Sequence, residues 1–522
     1  MKHLQLLAQQ IGERKVNHIF GIPGSGPSLF LLDALEKYDV HFHLTHFEGS
    51  GAIMAGAMGR LSGQSGIALS IKGPGLTNML PGLAACALES FPIVSISEAY
   101  LPETPPEKSH KRMDHDKMLE GIVKFQCFLS NDGPPFESLS LLAASEIPGV
   151  VHLNIAESPS DIPISRIPSI PSGDEEFDQA SWQKTTYLLS RSRCPVVIAG
   201  SLAVRKNWSE KLNTLLLPVF STAAAKGVVN ETLPQAAGVF TGVGGPLSPE
   251  RTILPQADLV VAVGLRHNEV LAVKPFHCPS IHIDPLGEEK CFGFQFDSII
   301  QGTTSQIDSI VNALLEKQWG LNLLEKTHKK LRERLLAPPF LPAHIYWHVM
   351  RYFDGEARLV LDTGNFCTIG EHVWQVKRPS LYVASAQGRY MGVGIPLGVG
   401  ASLYDPDVPT IVFTGDGGIG MFVSEMKLAV QNRLPLMVVL LSDSFLGTIR
   451  GASLQKGFSQ HATIIYQPSW LKALEGLRVP GKEVRTIDQL EKTLAEWKKD
   501  GPLFLEIPFD ADDYQRMTDE IR

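Results

Sequence analysis

At 522 residues, with 44% apolar side chains and a formal charge of −8, the chain has room for three domains that each bury their own core. The acidic balance and the lack of a basic run exclude nucleic acid and an anionic membrane surface as main partners, which leaves small molecules. The six cysteines (Cys86, Cys127, Cys194, Cys278, Cys291, Cys367) are scattered without a C-x-x-C, so neither a zinc cluster nor a disulfide framework is expected and the thiols read as reduced, cytosolic ones.

The first twenty residues carry Leu4, Leu7 and Ile11 among polar side chains, an amphipathic helix rather than the continuous apolar stretch of a signal peptide. No segment is long and apolar enough to span a bilayer, so a cytoplasmic protein is expected. From residue 1 to 165 helical and strand signals alternate, the pattern of a doubly wound, mostly parallel α/β domain. A strand runs from Val16 into the Gly21-Ile22-Pro23-Gly24 turn, a helix from Ser28 to Lys37, and a second strand from Val40 to Thr45. After it comes Glu48, then a run rich in Gly and Ala as far as Arg60, whose small side chains permit close packing against another helix or subunit. Taken alone, Glu48 is an ordinary first-turn carboxylate of the kind the helix macrodipole favours. The next strand, Ile67 to Ile71, ends in Lys72-Gly73-Pro74-Gly75-Leu76-Thr77-Asn78.

A Pro/Ser/Gly-rich linker, Ile167 to Gly173, separates this domain from a second over residues 178–325. There Cys194 to Gly200, Ala257 to Val263 and Ser280 to Ile283 are short apolar strands. Neither Gly200 nor Gly264 belongs to a G-x-G-x-x-G, so FAD is not expected and the domain reads as structural. Val311 to Leu335 is a charged helical stretch, and Ala337-Pro338-Pro339 a second linker.

The third domain, residues 340–509, opens with a strand ending in Asp362-Thr363-Gly364-Asn365, followed by His372 and Trp374 and by the turn Arg389 to Pro396 around Met391. The strand Ile411 to Thr414 then runs into Gly415-Asp416-Gly417-Gly418, and after a helical segment the apolar run Leu434 to Leu441 ends in Ser442-Asp443-Ser444-Phe445. A right-handed β-α-β unit puts Asp416 and Asp443 at one carboxyl edge, where two neighbouring carboxylates need a cation. Glycines before a helix N-terminus let the backbone approach a phosphate. The combination reads as a Mg-diphosphate site.

The Gly-Asp-Gly stretch with its paired residue Asp443 resembles the motif of the thiamine diphosphate-dependent 2-oxo acid decarboxylase and acetolactate synthase superfamily, and Glu48 with Gly-Pro-Gly-x-Thr-Asn resembles the pyrimidine-binding half of the same family. The resemblance extends along nearly the whole chain and implies three doubly wound α/β domains: pyrimidine-binding, central and diphosphate-binding. It gives Mg to Asp416, Asp443 and the carbonyl of Phe445, and the cofactor to Gly73, Asn78, Asn365, Gly415, Gly417 and Gly418. It also makes Met391 the prop that bends the cofactor, which brings its amine to the reacting carbon. Glu48 would share a proton with N1′ of the aminopyrimidine, the contact that lets the ring take the thiazolium C2 proton. One departure is that Ser442-Asp443 stands where the family has Asn-Asn, which adds a formal negative charge while keeping an oxygen ligand that Mg accepts. A cofactor shared between Glu48 and Asp416 further implies at least a homodimer, or a homotetramer.

In this superfamily the acyl group left after carbon dioxide departs is either protonated or passed to a second carbonyl. Candidates for setting that fork are Ser25, Ser28, His110, His115 and His372. The chain has Met113-Asp114-His115-Asp116 where synthases carry a Gln, and His115 is the candidate acid. Expected, therefore, is a 2-oxo acid enzyme of the acetolactate synthase kind; a simple phosphonopyruvate or aromatic 2-oxo acid decarboxylase is the alternative, and a catalytically silent partner subunit a third.

Overall fold

The structure, a computed structural model, describes the whole chain except residues 1, 15–16, 132–134, 162–166, 169–177, 273, 286–292, 302–303, 338–339, 467 and 522. Most of the first linker, Pro338 and Pro339 of the second, and Cys291 therefore lie outside the described residues.

Three six-stranded sheets follow one another along the chain, and every strand pairing in them is parallel. The first holds β1 (His18–Ile22), β2 (His41–Leu44), β3 (Gly66–Ser70), β4 (Ile93–Glu98), β5 (Val123–Phe128) and β6 (Val150–Ile155) in the order β2-β1-β3-β4-β6-β5. The second holds β7 (Pro195–Ala199), β8 (Val219–Ser221), β9 (Ala236–Val239), β10 (Leu259–Val263), β11 (Ser280–Ile283) and β12 (Ser298–Ile300) in the order β12-β11-β10-β7-β8-β9. The third, ordered β14-β13-β15-β16-β18-β17, is built from β13 (Arg358–Leu361), β14 (Tyr382–Ala384), β15 (Thr410–Gly415), β16 (Leu436–Ser442), β17 (Gly481–Glu483) and β18 (Leu503–Pro508).

Parallel sheets need both faces covered, and the sequence obliges with runs that are apolar throughout rather than alternating. In β16 all seven residues are buried. The short Val-Ile-Leu strands thus fix the sheets, and their carboxyl ends fix where polar groups can stand free of the core.

The helix Glu48–Ser62 is buried at every position from Glu48 to Gly59. Its small residues meet helices of the same chain: a Cβ placed at Gly82 would lie 2.1 Å from the Gly49 carbonyl, and one at Gly400 would lie 2.4 Å from that of Met54. Helices Pro74–Glu89 and Gly394–Tyr404 therefore clasp it from two sides, joining the first and third domains in one apolar core.

The stretch read as one charged helix from Val311 to Leu335 is instead two, Thr304–Leu315 and Leu321–Leu335. Gly320 adopts a left-handed φ of +76° between them, a conformation in which a helix does not continue. The preceding Gln318 bridges to Leu216 as an isolated β-pair. Among the described residues no helix is long and apolar enough to cross a membrane, and Cys86, Cys127, Cys194, Cys278 and Cys367 are free thiols.

Candidate active site

Strands β15 and β16 are neighbours in register, Gly415 opposite Leu441, so Asp416 and Asp443 leave the same carboxyl edge one residue beyond each strand. Asp416 is buried at 7% exposure, and its Oδ2 accepts from the backbone N–H groups of Asp443 (2.8 Å) and Ser444 (2.7 Å). Its Oδ1 is buried and has no hydrogen-bond partner. Asp443 accepts from the Phe445 N–H at 3.0 Å. Burial first, and then the neighbouring Asp416, pushes the Asp443 carboxyl up to about 7, and burial raises Asp416 as well.

Two carboxyls held together, one with an orphaned oxygen, could hold a hard divalent cation, whose charge would reverse both shifts. Phe445 is fixed for a further oxygen by its β-bridge to Ile464, and the Arg450 guanidinium stacks 4.6 Å over its ring.

The glycines form a cradle around this edge. A Cβ at Gly417 would come within 2.8 Å of Met391 Sδ and 2.9 Å of Leu446, and one at Gly418 within 2.5 Å of Asp362 Oδ2. Met391 thus lies directly against the Gly-Asp-Gly turn. Asn365 begins the helix Asn365–Val373, accepts from Thr448 Oγ at 2.8 Å, and crowds Gly447, where a Cβ would also meet Asp443 Oδ2 at 3.4 Å. Gly415, Asp416, Gly417, Gly418, Met391, Asn365, Asp443 and Phe445 are therefore brought together.

At the other end Glu48 is 5% exposed at the start of its helix, and a Cβ at Gly75 would lie 3.4 Å from its Oε1. Gly73 has φ +62°, and a Cβ there would fall 2.2 Å from the Lys111 carbonyl, so only glycine fits. Asn78, by contrast, leaves its side chain exposed on the helix surface.

His115 is buried, its Nδ1 2.7 Å from Asn154 Oδ1, and it lines a cavity of about 330 Å³ with Lys72, Tyr100, Lys111 and Asp114. Ser28 is likewise buried and donates to Glu98 at 2.6 Å, the same carboxylate that holds Lys72. Ser25 and His110 are exposed. His372 is bonded through Nδ1 to the Thr368 carbonyl and lines a separate small cavity with His328 and Trp347, away from the Asp416 edge.

Three carboxylates of this region escape sequence reasoning. Asp362, pushed up to about 6 by burial, accepts from Thr363 N, Gly392 N and Thr414 Oγ. Glu425 accepts from His46 N (2.9 Å) and Ser50 Oγ (2.6 Å), while the Phe422 and Phe47 rings lie 5.9 Å apart. It therefore ties the segment after Gly-Asp-Gly to the start of the Glu48 helix. Glu89 caps the loop before Met391. Only Asp362 had a local signal, its place at the end of a strand.

Three parallel-sheet domains carry glycine turns and buried carboxylates at their strand ends, the architecture of an α/β enzyme. The chain belongs to the thiamine pyrophosphate enzymes: its residues 1–115 match the N-terminal TPP binding domain of that family, 182–293 the central domain and 362–507 the C-terminal TPP binding domain, in that order. It is similar to the acetolactate synthase isozyme 3 large subunit of Escherichia coli (24% identical over 94% of this chain and 91% of that protein). Similar too are the acetolactate synthase large subunit of Buchnera aphidicola from Schizaphis graminum (24%, 98% and 95%) and the acetolactate synthase of Bacillus subtilis (22%, 98% and 93%).

Proposed function

We propose that the protein is a thiamine diphosphate- and Mg-dependent enzyme that decarboxylates a 2-oxo acid and transfers the acyl group to a second carbonyl, as an acetolactate synthase does. The observation that carries this reading is the buried Oδ1 of Asp416, without a partner among the described residues, beside Asp443 on a glycine turn packed against Met391. Similarity to acetolactate synthases along nearly the whole chain favours ligation over simple protonation.

Bound thiamine diphosphate supplies a carbon nucleophile for the 2-oxo acid's carbonyl and a ring that accepts the electrons left when carbon dioxide departs. The protein's part is to bind, orient and move protons. Asp416, Asp443 and the Phe445 carbonyl would hold the cation, beside the glycine turn at which the diphosphate would bind. Met391, which packs against Gly417, would support the cofactor. Glu48, buried at a helix N-terminus, would be the group that shares a proton with the pyrimidine nitrogen. His115 donates its Nδ1 proton to Asn154, which leaves Nε2 as the basic nitrogen in the cavity that begins at Lys72.

The working unit is a homodimer or homotetramer in which Glu48 of one subunit serves the metal site of another. Mixing Glu48→Gln and Asp416→Ala proteins, each inactive alone, should restore part of the activity through hybrid sites; no recovery after subunit exchange places both halves of the site in one chain. For the reaction itself, pyruvate with thiamine diphosphate and Mg should give acetolactate, whereas acetaldehyde as sole product favours the simple decarboxylase. No cofactor-dependent carbon dioxide from pyruvate, phosphonopyruvate or phenylpyruvate overturns the reading in favour of a silent homologue.

A further inference from the structure

Glu89 is the last residue of helix Pro74–Glu89, the place on a helix least suited to a carboxylate, because the dipole's negative end lies there. It is nevertheless 5% exposed and has no cation partner among the described residues. Its compensation comes from a different domain. Oε1 accepts from Ser385 Oγ (2.8 Å) and Gly388 N (2.8 Å), and Oε2 from Ala386 N and Gln387 N (2.9 Å each). Ser385 Oγ in turn accepts from Tyr390 N at 2.5 Å, so the turn is wound around the carboxylate from both ends. The fit is close: a Cβ at Gly388 would lie 2.7 Å from Leu88 and 3.3 Å from Glu89 Oε1. Three consecutive backbone N–H groups converging on one anion form a concave nest that neither partner can make alone.

The nest leads straight into Met391. Beyond it Arg389, at a left-handed φ of +49°, pairs with Glu371 at 3.0 Å, and Gly392 N donates to Asp362 at 2.8 Å. Glu371 and Asp362 belong to the same domain as the loop; of these three carboxylates, Glu89 is the one that reaches it from the first domain.

We propose that Glu89 is a positioning residue that sets the Ser385–Tyr390 turn, and through it Met391, from the domain that carries Glu48, so that each chain's Met391 is held in a fixed relation to the Glu48 it lends to the neighbouring subunit's site. The cofactor part of this proposal rests on the function proposed above; the clamp itself does not. Glu89→Gln keeps the shape but leaves one oxygen able to accept, so two of the four bonds are lost.

Hydrogen exchange on the intact apoprotein should find the amides of Ala386, Gln387 and Gly388 protected, and Glu89→Gln should speed their exchange by roughly tenfold or more without changing the exchange of β15 and β16. In the loaded enzyme the same variant should lose roughly 10- to 100-fold in thiamine diphosphate affinity and in kcat, with KM for the 2-oxo acid nearly unchanged, and Glu89→Asp should recover part of the loss. Unprotected amides in the wild-type protein overturn the clamp. Wild-type cofactor affinity and kcat in a folded Glu89→Gln protein overturn its positioning role. If the wild-type protein binds no thiamine diphosphate, the functional reading fails and the exchange result alone judges the clamp.

Discussion

Two sheet edges in this molecule start alike and end differently. In the third domain Asp416 stands just past β15, and in the central domain Asp284 stands just past β11; both are buried aspartates at the carboxyl end of a central parallel strand. Asp284 is closed. Arg266, itself fully buried, binds both its oxygens at 2.8 and 3.0 Å and reaches on to Glu146 of the first domain at 3.0 Å. Asp416 spends one oxygen on the turn after β16 and keeps the other without a partner. A strand end becomes a ligand site when a buried valence is left over, and the same topology becomes a domain joint when a guanidinium fills it. This is why the central domain, with its strand-then-glycine turns, carries no counterpart of the cation site among the described residues.

The contrast can be broken in order of effect. Asp416→Ala should remove cofactor-dependent turnover altogether and abolish Mg-dependent retention of thiamine diphosphate in gel filtration, while leaving the protein folded; retained cofactor would mean that the orphaned oxygen is not the metal's. Asp284→Ala should do the reverse, because it takes both Asp284 bonds from the buried Arg266 guanidinium, whose contact with Glu146 remains. We expect a loss of about 3–5 kcal/mol in denaturant unfolding, with turnover per folded subunit unchanged. A smaller effect tests a third carboxylate. Asp362 has every oxygen occupied but no cation, and burial holds its carboxyl near 6, above the usual aspartate value. A folded-state pKa raised in this way gives a contribution that is complete below about pH 4 and lost as pH rises through about 6. The stability advantage of the wild type over Asp362→Asn should therefore shrink by roughly 2 to 3 kcal/mol between pH 4 and 7; a difference independent of pH would show that Asp362 stays ionised throughout.

What the sequence discloses follows from how local each feature is. The parallel sheets are legible because strands such as β16 are apolar on both faces, and the meeting of Asp416 with Asp443 at one edge is legible because Gly415 to Gly418 and Ser442 to Phe445 are short contiguous runs on neighbouring strands. Asn365 and Met391 are findable only by their place before the Gly-Asp-Gly strand. Glu89, Glu425 and the Arg266 to Asp284 pair are single charged residues whose partners lie far off in the chain, and no period or spacing marks them. Among the histidines, residue type suggested more than the fold delivers: His115 lines a cavity, whereas His372 is taken up by its own helix and His110 is exposed. The break at Gly320 was present in the sequence as a glycine inside a charged helical run, and was outweighed there by the helix formers around it.

The buried helix Glu48–Ser62 has a consequence for the order in which the molecule is made. Its partner helix Gly394–Tyr404 is translated some 330 residues later, which at ordinary elongation rates is a delay on the order of tens of seconds. Throughout that interval the nascent first domain presents a strip of glycine, alanine and methionine with nothing yet available to cover one of its sides. The first domain therefore leaves the ribosome unfinished.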